Sequence, residues 1–164
     1  MAITIKGTVV PFLKLQVAQA KDNGRVAADV DLGVAALAIP GTADSVFDKK
    51  ATLAASASVE HDLAGALESP LGDVVSFAKV YAIGVFAEAA NTNNVEVGGA
   101  AANSFLGPFK DATDKVALTP GGSLLVINPA GWTVTPGTAD LLKIANSGAG
   151  TSVSYRLVVI GASA

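Results

Sequence analysis

The sequence predicts an all-β protein, an antiparallel β-sandwich or jelly-roll-like fold with at most one or two short helices. Apolar residues recur with a period of two through most of the chain, as in strands with one buried and one wet face. Clusters of Asn, Gly and Pro separate these stretches at roughly 8–12-residue spacing, as in sandwiches and barrels. Helical periodicity is nearly missing.

The elements follow in order. Ala2–Val10 sets Ile3, Ile5 and Val9 against Thr4, Lys6 and Thr8. Arg25–Val34 alternates Val26, Ala28, Val30, Leu32 and Val34 with a face carrying Asp29 and Asp31, and Thr52–Glu60 alternates Leu53, Ala55, Ala57 and Val59 with polar residues. Asp62–Glu68 predicts two helical turns with Asp62 as N-cap; Gly65 weakens them and Ser69-Pro70 ends them. Val74–Ala89 is apolar on both faces apart from Lys79 and Glu88, and its β-branched and aromatic content predicts the central, most buried strand. Asn91–Asn94 breaks it, Val95–Gly98 starts a short strand, and Ala100–Ser104 could make a single helical turn.

The last third predicts hairpins. Lys115–Thr119 and Ser123–Asn128 flank Pro120-Gly121-Gly122, where proline presets one dihedral and glycine supplies positive φ. Trp132–Thr135 is a short strand closed by Pro136-Gly137. Asp140–Ala145 and Thr151–Ile160 flank the loop Asn146–Gly150, and the final strand turns Val153, Tyr155, Leu157 and Val159 to one face.

Composition bounds the role. One β-sandwich domain is expected over 1–164, with 1–24 as an N-terminal strand or arm that contacts a neighbouring subunit. Eleven basic against 14 acidic residues leave no basic excess for nucleic acid. No cysteine is present, which removes thiolate catalysis, Cys-type zinc sites and disulfides together. The opening residues have no unbroken apolar region or cleavage site, and no stretch is long enough for a membrane helix, so a soluble intracellular product is expected. Mean hydropathy is +0.50 with only 15% charged residues. Soluble surfaces are commonly about 25–35% charged, so part of this apolar surface is expected between subunits.

Chemistry finds little foothold. His61, the only histidine, could be a general base oriented by Glu60 or Asp62, but it more readily reads as a polar residue at a strand end. Paired carboxylates occur at Asp29/Asp31, Glu60/Asp62 and Asp111/Asp114, and Asp29 and Asp31, two apart on one strand face, could clamp a hard cation such as Ca²⁺. No calcium-loop pattern or aromatic sugar platform accompanies them. Gly98-Gly99, Gly121-Gly122 and Gly148-Ala149-Gly150 match neither nucleotide fingerprint and read as turn glycines. No catalytic residue, cofactor or metal is expected. Trp132 could stack on a partner or plug the core. Ile3, Ile5, Val9, Phe12 and Trp132 are the candidate interface residues.

Leu71-Gly72-Asp73 followed by Val75–Val80, the Asn-rich break and Val95–Gly99 resemble a pattern in tailed-bacteriophage virion proteins. So do Pro120-Gly121-Gly122, Gly131–Val134, Leu142–Asn146 and the last strand, Tyr155–Gly161. The resemblance covers roughly the last 95 residues and implies a β-sandwich subunit of a capsid or tail, often trimeric, with no catalytic residues. The expected role is a decoration or cement subunit stabilising the capsid in the virion, made in the host cytoplasm. Its expected partners are copies of itself, as a homotrimer, and the major capsid protein lattice, without nucleic acid or membrane. The alternatives are a tail or head-fibre subunit that touches a host receptor, and a carbohydrate-binding β-sandwich module in which Trp132 or Tyr81 meets the glycan.

Overall fold

A computed structural model describes residues 8–9, 14–21, 24–31, 37–38, 40 and 42–163. The chain divides into two compact units, one spanning Lys6–Ile39 and a larger one that includes Pro40–Ala164. The described part of the smaller unit is four strands: β1 (Thr8–Val9), β2 (Lys14–Lys21), β3 (Gly24–Asp31) and β4 (Leu37–Ala38). β2 and β3 pair antiparallel from Lys14↔Asp31 to Lys21↔Gly24, and β1 pairs with β4. Of the strand expected at 2–10, only Thr8–Val9 lies among the described residues. The strand expected at Arg25–Val34 is β3.

The larger unit holds β5 (Ser45–Leu53), β6 (Ser58–Asp62), β7 (Leu67–Glu68), β8 (Val74–Val75), β9 (Lys79–Ala87), β10 (Val95–Gly98), β11 (Lys115–Leu118), β12 (Ser123–Thr133), β13 (Leu141–Asn146) and β14 (Val153–Ala162). Two four-stranded antiparallel sheets form, in the orders β12-β9-β14-β5 and β11-β10-β13-β6, with β7-β8 as a separate ribbon. Their inward residues make one core: Phe47, Ile83, Val85, Tyr155, Leu157 and Val159 from the first sheet meet Val95, Val97, Leu118, Leu142 and Ile144 from the second. The all-β, sandwich-like architecture is as expected.

The connections differ from expectation. β11 pairs with β10 while β12 pairs with β9, so Pro120-Gly121-Gly122 carries the chain between the two sheets instead of closing a hairpin. β13 and β14 likewise lie in different sheets. Period-two alternation states that one face is buried, and an arch between facing sheets satisfies it as well as a hairpin does.

Other elements are corrected by tertiary pairing. Neither expected helix forms. Asp62 does cap locally, its Oδ1 accepting from Ala64 N at 3.0 Å, but Leu63 N donates to Asp140 O at 2.8 Å and the chain turns into β7. At 100–104, Asn103 has φ 49° and Ser104 bridges to Leu141. Thr52–Glu60 breaks into β5 and β6 around Ser56, whose φ is 56°. Val74–Ala89 breaks into β8 and β9, and β9 is not buried throughout, since Phe86 is 41% exposed. Trp132–Thr133 belongs to β12, past a bulge opposite Tyr81.

Candidate docking surface

The outer face of the first sheet can be built from its register. Reading from β12 to β5, one row is Ser123, Phe86, Arg156 and Lys50; the next is Leu125, Gly84, Val158 and Asp48; the next is Ile127, Ala82, Ile160 and Val46. Alternation turns the opposite residues, such as Val85 and Leu157, into the core. Gly84 leaves a dip in the sheet, lined by Phe86, Leu124, Arg156 and Val158. Leu125, 46% exposed, and Phe86 flank it.

Charge on this face is internally paired. Arg156 donates to both carboxylate oxygens of Asp48, through Nε at 2.8 Å and through Nη2. Lys50 Nζ lies 3.0 Å from Glu88 Oε1. The Arg156 bonds, opposed by partial burial, hold the Asp48 carboxyl below its usual range. Over these three rows Arg156 and Lys50 therefore each meet a carboxylate before any partner arrives, and the field those rows present outward is weak.

Beside this face stands the β7–β8 turn. Pro70 borders the same recess as Phe86, Glu88 and Arg156. Ser69 Oγ accepts from Leu71 N and Asp73 N, both at 3.1 Å, and Ser69 N donates to Asp73 O at 2.8 Å. Gly72 supplies the left-handed residue at φ 87°. The locked turn displays Leu71 at 79% exposure and Val74 at 75%, more than any other large apolar side chain among the described residues. The apolar run Val74–Ala89 predicts a buried Val74, which the fold instead leaves in water. Ser-Pro-Leu-Gly-Asp, a turn sequence with a leucine at its apex, was the available signal.

The residues singled out for chemistry lie apart. His61 faces the core at 9% exposure; its Nε2 is 3.1 Å from Tyr155 Oη, and the Phe47 ring lies 5.3 Å away. Burial, aided by the Lys49 charge, pushes its pKa down to about 4, and burial pushes Tyr155 up to about 12. Among the described residues no carboxylate orients the imidazole, as a general base would need. Glu60 and Asp62 are exposed on the opposite face of β6. Asp114 Oδ2 accepts from Lys110 N and Asp111 N, capping its own loop. Asp29 and Asp31 sit two apart on β3, opposite Gln16 and Lys14. No group of three or more His, Cys, Asp or Glu that could hold a metal occurs among the described residues.

Of the candidate interface residues, Ile3, Ile5 and Phe12 lie outside the described residues, and Val9 is paired with Leu37 in β1–β4. Trp132 packs partly buried against the core, close to Gly107. Tyr81 is 7% exposed, with its hydroxyl 2.8 Å from Thr42 Oγ1. No described helix is long and apolar enough to cross a membrane.

No family model, curated protein or solved structure matches this chain.

Proposed function

We propose that this chain is a structural protein of a tailed-bacteriophage virion that decorates and stabilises the capsid through protein–protein contacts. The supporting observation is the turn locked by Ser69, which holds Leu71 and Val74 out in water beside sheet rows whose cations, Arg156 and Lys50, are already paired. Exposed apolar side chains on a rigid mount suit docking, because little conformational entropy remains to be lost. A weak outward field suits a repeating lattice, where like surfaces come close together. The sequence resemblance supplies the class of assembly.

The test is immunogold electron microscopy of purified phage particles from the host that expresses the chain, with copy number by quantitative mass spectrometry. Regular labelling of the head, at hundreds of copies, is the expected result. A few copies at a tail or fibre tip would replace decoration with the receptor-contacting role. Absence from every particle would overturn the proposal.

A further inference from the structure

The first sheet ends on one side at β12, and that edge is unguarded. Among the described residues β12 pairs only with β9, and its eleven residues include no charge. Every other outer edge of the two sheets carries a known deterrent to strand addition. β5 has Asp48, Lys49 and Lys50, with Lys49 on the inward-facing side of the alternation; β6 has Glu60 and Asp62; β11 is only four residues long and begins at Lys115.

The open groups of β12 can be assigned. Ala87 N donates to Gly122 O, and Glu88 N donates to Ser154 O across the other side of β9. Antiparallel alternation from these anchors points the N–H and C=O of Leu124 and Val126 toward β9, and those of Ser123, Leu125 and Ile127 toward the open edge. The Pro120-Gly121-Gly122 turn bounds this ladder at one end. At the other it is bounded by Pro129, which has no N–H to offer.

We infer that β12 is a homodimer interface, pairing antiparallel with β12 of a second copy about a two-fold axis through Leu125. In that register Leu125 faces its own counterpart and Ser123 faces Ile127 of the other copy. The three open residues of each chain are all used, closing about six hydrogen bonds. The two first sheets become one continuous eight-stranded sheet. Leu124 and Val126, half-buried at the rim of the core, are covered, and the two Leu125 side chains meet on the outer face. With no charge on β12, self-pairing opposes no like charges. A ring of three, as the sequence resemblance implies, would have to join β12 to one of the guarded edges. The inference needs no capsid partner, so its failure would leave the proposed role standing.

Sedimentation equilibrium of the whole chain tests it, with amide exchange followed by NMR. The wild type is expected at twice the 16.3 kDa chain mass, with slow exchange at Leu125 and Ile127 N–H that becomes fast on dilution. Leu125→Pro removes only an open-edge N–H, so it should halve the mass while leaving the circular dichroism unchanged. Leu125→Lys sets like charges across the axis and should do the same; it decides the matter if the proline variant does not fold. Leu71→Asp should keep the dimer. A wild type that stays monomeric at millimolar concentration, or an assembly that survives both Leu125 variants, overturns the inference.

Discussion

His61 on β6 and Tyr155 on β14 join the two sheets across the core, ring nitrogen to hydroxyl at 3.1 Å. Both side chains are buried, and each is the other's polar partner. Burial favours the neutral imidazole, and this makes stability depend on pH.

The sign follows from the depressed histidine. Its folded pKa is about 4 against an ordinary value of 6.5, so between these values the unfolded chain binds a proton that the folded chain refuses. Stability is full above pH 6.5 and falls as the solution is acidified toward pH 4, by at most about 3 kcal/mol. Urea melts at pH 7.5 and pH 4.5 should show this loss in the wild type. His61→Gln should be less stable at pH 7.5 but lose clearly less on acidification. An equal acid loss in both proteins would place the titration elsewhere.

Asn146, at the end of β13, is a second buried polar tie, 5% exposed. Its Nδ2 donates to Ala54 O at 3.0 Å and Thr151 O at 2.8 Å, while its Oδ1 accepts from Asn93 Nδ2 at 3.0 Å and Gly148 N at 3.2 Å. Three loops at one end of the sandwich thus hang on one amide. Asn146→Ala leaves those groups unpartnered and should cost about 2–4 kcal/mol in chemical denaturation. Asn146→Asp keeps the acceptor but turns a carboxylate oxygen toward the Ala54 and Thr151 carbonyls, so at neutral pH it should cost at least as much as alanine.

Much of this fold was legible in the sequence, and the failures share a cause. Alternation located β10, β13 and β14 to within two residues at each end, because a one-residue slip would bury every polar neighbour. It was blind to which sheet each strand joins, since β13 and β14 carry the same pattern on opposite sides of the core. It was also blind to the exposure of Val74 and Phe86. An apolar residue in an apolar run reads as buried, and only the tertiary arrangement shows that no strand covers it.

That exposed turn supplies a test that separates docking from folding. Leu71 and Val74 touch little, so Leu71→Asp with Val74→Asp should alter thermal stability by no more than about 0.5 kcal/mol. The double variant should nonetheless fail to join particles when it replaces the wild-type chain during phage growth, as measured by mass spectrometry of purified virions. Normal incorporation would remove the turn from the docking surface.

Two strand glycines should respond to alanine with opposite signs. Gly161 on β14 sits beside the bulge of β9, and a Cβ there would overlap Lys79 O and come 2.6 Å from the Phe77 ring. The backbone oxygen cannot step aside without breaking the sheet, so Gly161→Ala should cost more than about 3 kcal/mol or prevent folding. Gly84 on β9 is different: the nearest atom to its Cβ is Leu125 Cδ1 at 4.0 Å, and its φ is not in the left-handed region. Gly84→Ala should stabilise by about 0.5–1 kcal/mol, because it restricts the unfolded chain and fills the dip in the outer face. Thermal melts of the two variants decide it, and a loss at Gly84 comparable to that at Gly161 would show that the outer face is covered more tightly than its register implies.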